Sequence, residues 1–86
     1  MQTFSSNTDR IAPNSDGNYT VSNVYKTGYL RLACEITGTS SVYIIPRYVT
    51  SNLANNTIQI GVRNFYNTAI DATMTVNVYF IRLVKP

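Results

Sequence analysis

The chain has 86 residues and a formal net charge of +3, and 44% of its residues are hydrophobic. This length allows one small domain, and this hydrophobic share excludes disorder along the whole chain. Only 13% of the residues are charged, about half the share of an ordinary soluble domain, and ten Asn, eleven Thr and seven Ser take their place. Such a polar but nearly uncharged surface favours an extracellular or virion-exposed β protein over a cytosolic enzyme.

Several kinds of site are missing from the sequence. There is no His, and Cys34 is the only cysteine, so one chain forms no intrachain disulfide and no zinc or iron–sulfur site. The four carboxylates are not paired by their spacing, whereas acid–base catalysis generally uses His or a tuned pair of carboxylates. We therefore predict no enzyme activity, no metal and no cofactor. A domain this small without such staples is commonly stabilised by oligomerisation.

Residues 1–17 are rich in turn-forming residues and show little periodicity. We interpret residues 1–17 as an ordered N-terminal arm and residues 18–86 as the head domain, with a neighbouring subunit as one candidate for holding the arm. The start of the chain has no apolar segment typical of a signal peptide, and no run of 18 apolar residues occurs. We therefore expect neither a signal peptide nor membrane insertion.

From Tyr19 onward, apolar and polar residues alternate with the period of two that is typical of half-buried strands. In the strand that contains Cys34, this alternation puts the thiol on an apolar face with Leu30 and Leu32, and we expect it in the core. Pro46 removes a ladder donor, so its strand is expected at a sheet edge or with a bulge. Five clear strands and one or two short early ones predict an all-β fold, a small antiparallel sandwich of six or seven strands.

The final strand is apolar on both faces in its second half, from Val78 to Val84, apart from Arg82. A strand with two buried faces needs a packing partner on each face. The domain core supplies one, and we predict that a partner copy supplies the other. The predicted interface anchors are Phe80, Ile81 and Leu83.

Tyrosines occur close to arginines in several strands. Aromatic faces with polar and cationic neighbours suit saccharides or single-stranded nucleic acid, and the near-neutral composition with only two Lys favours a hydroxyl-rich ligand over a polyphosphate. The alternative is that Tyr serves only as a good strand and interface residue. Because loops on a rigid scaffold commonly carry binding, the candidate ligand-binding residues are Tyr43, Arg47, Asn52, Asn64, Tyr66 and Asn67.

The strand Ile58–Asn64 and the long final strand 73–83, joined by a short polar connection, resemble the closing strands of small trimeric tip domains of phage tail fibres and receptor-binding proteins. They are also similar to the H-type lectin-like sandwiches of such fibres. The resemblance covers about a third of the chain. It implies a homotrimer whose heads bind glycans or proteins of a host surface, and it supplies no binding residue by position.

Together these observations predict a non-enzymatic viral attachment domain, located in a virion tail or spike, that recognises a host cell-surface ligand, with a glycan as a candidate. A homotrimer is favoured. Two alternatives stay open: a structural decoration or assembly subunit of a virion, and a single-stranded nucleic-acid-binding protein similar to OB folds.

Overall fold

The computed structural model describes residues 1–82, which form eight β-strands and no helix. The predicted anchor Leu83 lies outside the described residues. The strands are β1 (Gln2–Ser5), β2 (Asp9–Ile11), β3 (Asp16–Val21), β4 (Tyr29–Thr39), β5 (Ile44–Asn52), β6 (Thr57–Asn64), β7 (Ile70–Ala72) and β8 (Met74–Arg82).

All strand pairs are antiparallel, in two three-stranded sheets of order β1-β8-β4 and β3-β6-β5 and one two-stranded ribbon of β2 and β7. The prediction of an all-β antiparallel fold is confirmed. The number of strands is eight instead of six or seven. The strands β1 and β2 agree with the one or two short early strands that were expected, and β7 is the additional strand, in the segment interpreted as a polar connection. A strand of three residues is too short to show a period of two, which is why the sequence did not reveal β7.

The segment predicted as an arm pairs with the sheets of its own chain. β1 lies beside β8 with Gln2 opposite Val78, and β2 lies beside β7 with Ile11 opposite Ile70. Phe4 packs on the core and Ile11 is part of it. Strand pairing and core contacts within the chain therefore hold β1 and β2 in place.

One hydrophobic core lies between the two three-stranded sheets, as in a β-sandwich. Alternate residues of β3, β6 and β8 point into it, because successive side chains of a strand point to opposite faces. The ribbon of β2 and β7 adds two more side chains. The buried residues are Ile11, Tyr19, Val21, Val24, Ile44, Ile58, Ile60, Val62, Ala72, Met74, Val76 and Val78.

A bulge in β4 changes which of its residues face the core. Arg31 pairs with Phe80 and Ala33 pairs with Tyr79, so Leu32 is the extra residue. A single inserted residue reverses the faces of everything before it. Cys34 is half-buried against the core, but the prediction that Leu30 and Leu32 share its face is wrong, since both leucines are exposed.

Because of the bulge, Arg31 points toward the core and Leu30 points outward. Its guanidinium donates to Ser51 Oγ of β5 at 2.7 Å and lies 3.4 Å from the carbonyls of Val24 and Thr57. These bonds join an edge strand of one sheet to the other sheet.

The strand with Pro46, β5, lies at the edge of its sheet and contains a bulge between Pro46 and Tyr48. Both alternatives predicted for the strand with Pro46, an edge position and a bulge, are therefore confirmed. A bulge makes two residues of one strand oppose a single partner residue. Arg47 is the extra residue here, and this placement shapes the candidate site described below.

The described residues form an elongated body of 56 × 20 × 17 Å with a radius of gyration of 14.3 Å, compared with about 12 Å for a compact domain of this length. Strands of eight to eleven residues in both sheets contribute to the long axis. Residues 1–82 include no helix with the length and apolar character needed to cross a membrane.

Candidate functional site

The outer face of the β3-β6-β5 sheet is polar and charged. Tyr19 of β3 and Ile60 of β6 are paired and point into the core. The residues next to them in each strand therefore point outward. We call this surface the charged face and define it by the outward-facing side chains Asp16, Asn18, Arg47, Tyr48 and Arg63, which come from all three strands. A groove of about 370 Å³ runs between them, lined by four of these residues together with Gly17 and Val62.

Asp16 holds two arginines at the centre of the charged face. Its Oδ1 accepts from Arg63 Nη1 at 3.1 Å and from Arg47 Nη1 at 3.2 Å. The hydrogen bond from Arg63 is the main reason why the pKa of Asp16 lies below its usual value, and the charges of Arg47 and Arg63 lower that pKa further. One carboxylate between two guanidinium groups leaves a net charge of about one positive unit in this cluster.

Tyr48 lies flat across the sheet beside this cluster. Its ring covers Gly61 of β6, since a Cβ at position 61 would overlap the ring. Its Oη donates to Asn18 Oδ1 of β3 at 3.2 Å. Tyr48 as a whole remains 57% exposed, and the side of its ring that faces away from Gly61 is open to solvent.

An aromatic cluster, which we call the aromatic tip, continues the charged face at one end of the sheet. It consists of Tyr43, Phe65 and Tyr66, all exposed. The rings of Tyr43 and Tyr66 are stacked, with centroids 4.1 Å apart and planes inclined by 20°. The guanidinium carbon of Arg63 lies 5.7 Å from the Phe65 ring centroid, so Arg63 links the tip to the charged face.

The buried side chain of Asn64 holds the backbone of the aromatic tip in place. Its side chain is 0% exposed. Its Nδ2 lies within 3.2 Å of three carbonyls, those of Ile11, Ala12 and Thr68, and its Oδ1 accepts from the Tyr66 amide at 2.9 Å. The sequence predicted Asn64 as a surface contact. The structure buries it because its polar groups satisfy the backbone of two loops.

The other predicted binding residues lie in different places. Tyr43 and Tyr66 are in contact, and Arg47 lies on the neighbouring charged face. Asn67 is exposed in the loop that follows the tip. Asn52 is at the opposite end of β5, where it pairs with Thr57 and accepts from the Asn55 amide. About 26 Å of strand separates Asn52 from Ile44, so Asn52 does not belong to the same surface.

The sequence pattern missed four members of the charged face, which are Asp16, Asn18, Tyr48 and Arg63. Strict alternation put Tyr48 and Arg47 on opposite sides of β5. The bulge after Pro46 brings both onto the charged face. Pro46 was the signal available in the sequence, since a proline inside a strand indicates an edge or a bulge.

The outer face of the β1-β8-β4 sheet is apolar near the end of β8. Ile81 pairs with Leu30, and Tyr79 pairs with Ala33; we call these four outward-facing residues the apolar face. Ile81 is 50% exposed. Phe80, the other described anchor, points the opposite way, packs on the core and contacts the Phe4 ring with centroids 6.5 Å apart.

Within residues 1–82, no three Cys, Asp or Glu side chains are close enough together to hold a metal ion. Comparison of the chain with protein-family models, with curated proteins and with solved structures finds no match in any of the three. The chemistry of the described surface is therefore the basis for assigning a function. This surface offers stacking rings, a carboxylate, guanidinium groups and an amide, which are the groups that contact saccharides.

Proposed function

We propose that this protein is a non-enzymatic attachment domain that recognises a hydroxyl-rich ligand of a host surface, in the first place a glycan. The observation that carries the proposal is the continuous surface formed by the charged face and the aromatic tip. The resemblance of the last strands to phage tail-fibre heads directs the proposal to a virion. The same resemblance favours a homotrimer over other assemblies.

The geometry of the rings supports a saccharide. A sugar ring stacks its apolar side on an aromatic face while its hydroxyls bond to polar groups at the rim. Tyr48 presents such an open face, with Asn18 and Asp16 beside it. A single excess positive charge is little for a polyphosphate, because nucleic-acid affinity rises with the number of neutralised phosphates.

Assembly through the apolar face supports attachment by several weak sites. Leu30 and Ile81 form an exposed apolar pair on the sheet face opposite to the charged face. Copies that bury this pair against each other would leave every charged face outside. Avidity across linked sites exceeds the affinity of one site.

A structural subunit of a virion is the second candidate function. The apolar face favours it, since an exposed apolar patch commonly marks a protein interface. In this case the partner of the apolar face is another virion protein, and the charged face has no ligand.

A glycan array tests the proposal. The assembled wild-type protein should bind a subset of immobilised glycans, and Tyr48→Ala or Tyr66→Ala should abolish or strongly reduce that binding, because each removes a stacking ring. The matched control is Tyr25→Ala, which removes an exposed tyrosine of the loop between β3 and β4 and should leave binding unchanged.

Two results would overturn the proposal. One is a wild-type protein that binds no glycan while binding a virion protein, which would select the structural alternative. The other is a loss of binding that is equally large in Tyr25→Ala, which would show that the charged face and the tip are not the contact surface.

A further inference from the structure

The bulge in β5 creates a pair of neighbouring side chains on one face of the sheet. Arg47 and Tyr48 are consecutive in sequence, yet Arg47 reaches Asp16 and Tyr48 reaches Asn18. Asp16 and Asn18 both belong to β3, two strands away from β5, which corresponds to about 10 Å across the sheet. Both side chains therefore extend over β6 in parallel. Bulges often re-aim side chains beside binding sites.

Gly61 makes the flat position of Tyr48 possible. It stands opposite both Asn18 and Tyr48 in the ladder, and any side chain there would occupy the place of the ring. An aromatic residue that covers a glycine across strands also shields the backbone from water. The sheet thus supports the ring from one side and leaves its other side free for a ligand.

The two arginines differ in how far they are engaged. Arg63 donates to Asp16 and, through Nη2, to the Asn14 carbonyl at 2.9 Å, and its side chain is the less exposed of the two. Arg47 donates only through Nη1, and its Nη2 and Nε have no hydrogen-bond partner among residues 1–82. Arg47 therefore supplies the free donors and the excess positive charge of the cluster.

We propose that this site binds a pyranose that carries a carboxylate, with the sugar ring on Tyr48 and the carboxylate on Arg47. The inference rests on the proposed function and narrows its ligand from glycans in general to acidic glycans. A guanidinium group binds a carboxylate by two parallel hydrogen bonds. Asn18, whose Oδ1 accepts from Tyr48, keeps its amide hydrogens for sugar hydroxyls. The net charge of about one positive unit on the Asp16, Arg47 and Arg63 cluster matches one negative charge on the ligand.

Two small glycosides test this proposal without knowledge of the natural ligand. Methyl β-glucuronide and methyl β-glucoside differ only at C6, where one has a carboxylate and the other a hydroxymethyl group. Their affinities for the wild-type protein are measured by NMR titration of the backbone amides. The glucuronide should bind about five-fold more tightly, because its carboxylate takes two parallel hydrogen bonds from the Arg47 guanidinium where the hydroxymethyl group takes one, a difference of about 1 kcal/mol.

Three variants assign the preference to its residues. Arg47→Gln should bring the two affinities to the same value, because Gln offers the carboxylate no charge-assisted pair of hydrogen bonds. Gly61→Ala should weaken both glycosides together, since it displaces the exposed Tyr48 ring while Tyr48 itself remains. The matched control is Arg10→Gln, which removes an exposed arginine paired with Asp71 in the β2–β7 ribbon and should leave the ratio unchanged.

The outcomes separate the two proposals. Equal binding of both glycosides to the wild type overturns the inference and leaves the proposed glycan attachment in place. A preference that persists in Arg47→Gln also overturns it, because the carboxylate then lies elsewhere. If neither glycoside binds, the inference fails, and the glycan array decides the fate of the proposed function separately.

Discussion

The outer faces of the two three-stranded sheets are built from the same kind of strand, but near the end of β8 one of them is apolar, whereas the charged face is polar. β6 and β8 both send alternate aliphatic side chains into the shared core. On the other side, β6 and its neighbours present Asp16, Arg63 and Tyr48, whereas β8 and β4 present Ile81 and Leu30. The inward positions are fixed by burial and would be similar in any sandwich of this size. The outward positions need not be apolar for the fold. The difference in residue type between the two outer faces therefore carries the functional information.

The difference implies a division of labour between the faces. A polar, aromatic face tolerates water and can exchange it for ligand hydroxyls, while an exposed apolar face gains by excluding water. Each face can therefore be altered without changing the other, provided that the core between them is left intact. The predictions that follow use this independence.

The largest expected effect is a loss of assembly on changing the apolar face. Ile81→Asp places a charge where we propose that copies meet, so the solution mass by light scattering should fall from that of an oligomer to that of a single chain. Thr50→Asp, which adds the same charge at an exposed position of β5, should keep the wild-type mass.

The same pair of variants compares the two faces directly. Ile81→Asp should retain the affinity for a single glycoside and lose only the added avidity on a glycan array. A wild-type protein that is already monomeric, or an Ile81→Asp variant with unchanged mass, would contradict assembly through the apolar face.

Removing the support of the aromatic tip should have the second largest effect. Asn64→Ala removes a buried hydrogen bond to the Ile11 carbonyl and two part-buried ones, to the Thr68 carbonyl and from the Tyr66 amide. We expect the free energy of unfolding to fall by about 2–4 kcal/mol, measured by urea denaturation. Asn67→Ala, an exposed position in the adjacent loop, should change it by less than about 0.5 kcal/mol. Similar losses in both variants would mean that the amide network of Asn64 contributes little.

The sequence was sufficient for the regions of β3, β4, β5, β6 and β8 and for the inward residues of β8. Met74, Val76 and Val78 alternate without interruption, and all three are buried as the pattern predicts. Pro46 also indicated an edge strand with a bulge, because a residue without an amide hydrogen has few places in a sheet.

The sequence failed where one residue changes the register. The bulge at Leu32 exposes two leucines that alternation put in the core, and nothing near it in the sequence marks the insertion. The prediction of Asn64 as a surface contact failed for another reason. Ten Asn are spread over the chain, and only the tertiary structure shows which one is surrounded by backbone carbonyls. The Asp16 cluster joins residues 31 and 47 positions apart, a distance at which spacing alone predicts no contact.

The smallest expected effect concerns the pKa of Asp16, and it tests which arginine is free. The hydrogen bond from Arg63 is the main cause of the lowered pKa, so Arg63→Gln should raise that pKa toward the usual value, and Arg47→Gln should raise it less. The measurement is an NMR titration of the Asp16 carboxyl carbon in the wild type and in both variants.

The sign of the stability effect follows from the same shift. A carboxyl whose pKa is lower in the folded state stabilises the fold above its unfolded pKa and loses this contribution as the pH falls through the folded pKa. The wild type should therefore lose a small part of its stability below about pH 4, and Arg63→Gln should lose less. If Arg47→Gln raises the Asp16 pKa more than Arg63→Gln does, then Arg47 is committed to Asp16, and the cation available to an acidic sugar would be Arg63 beside Phe65 at the aromatic tip.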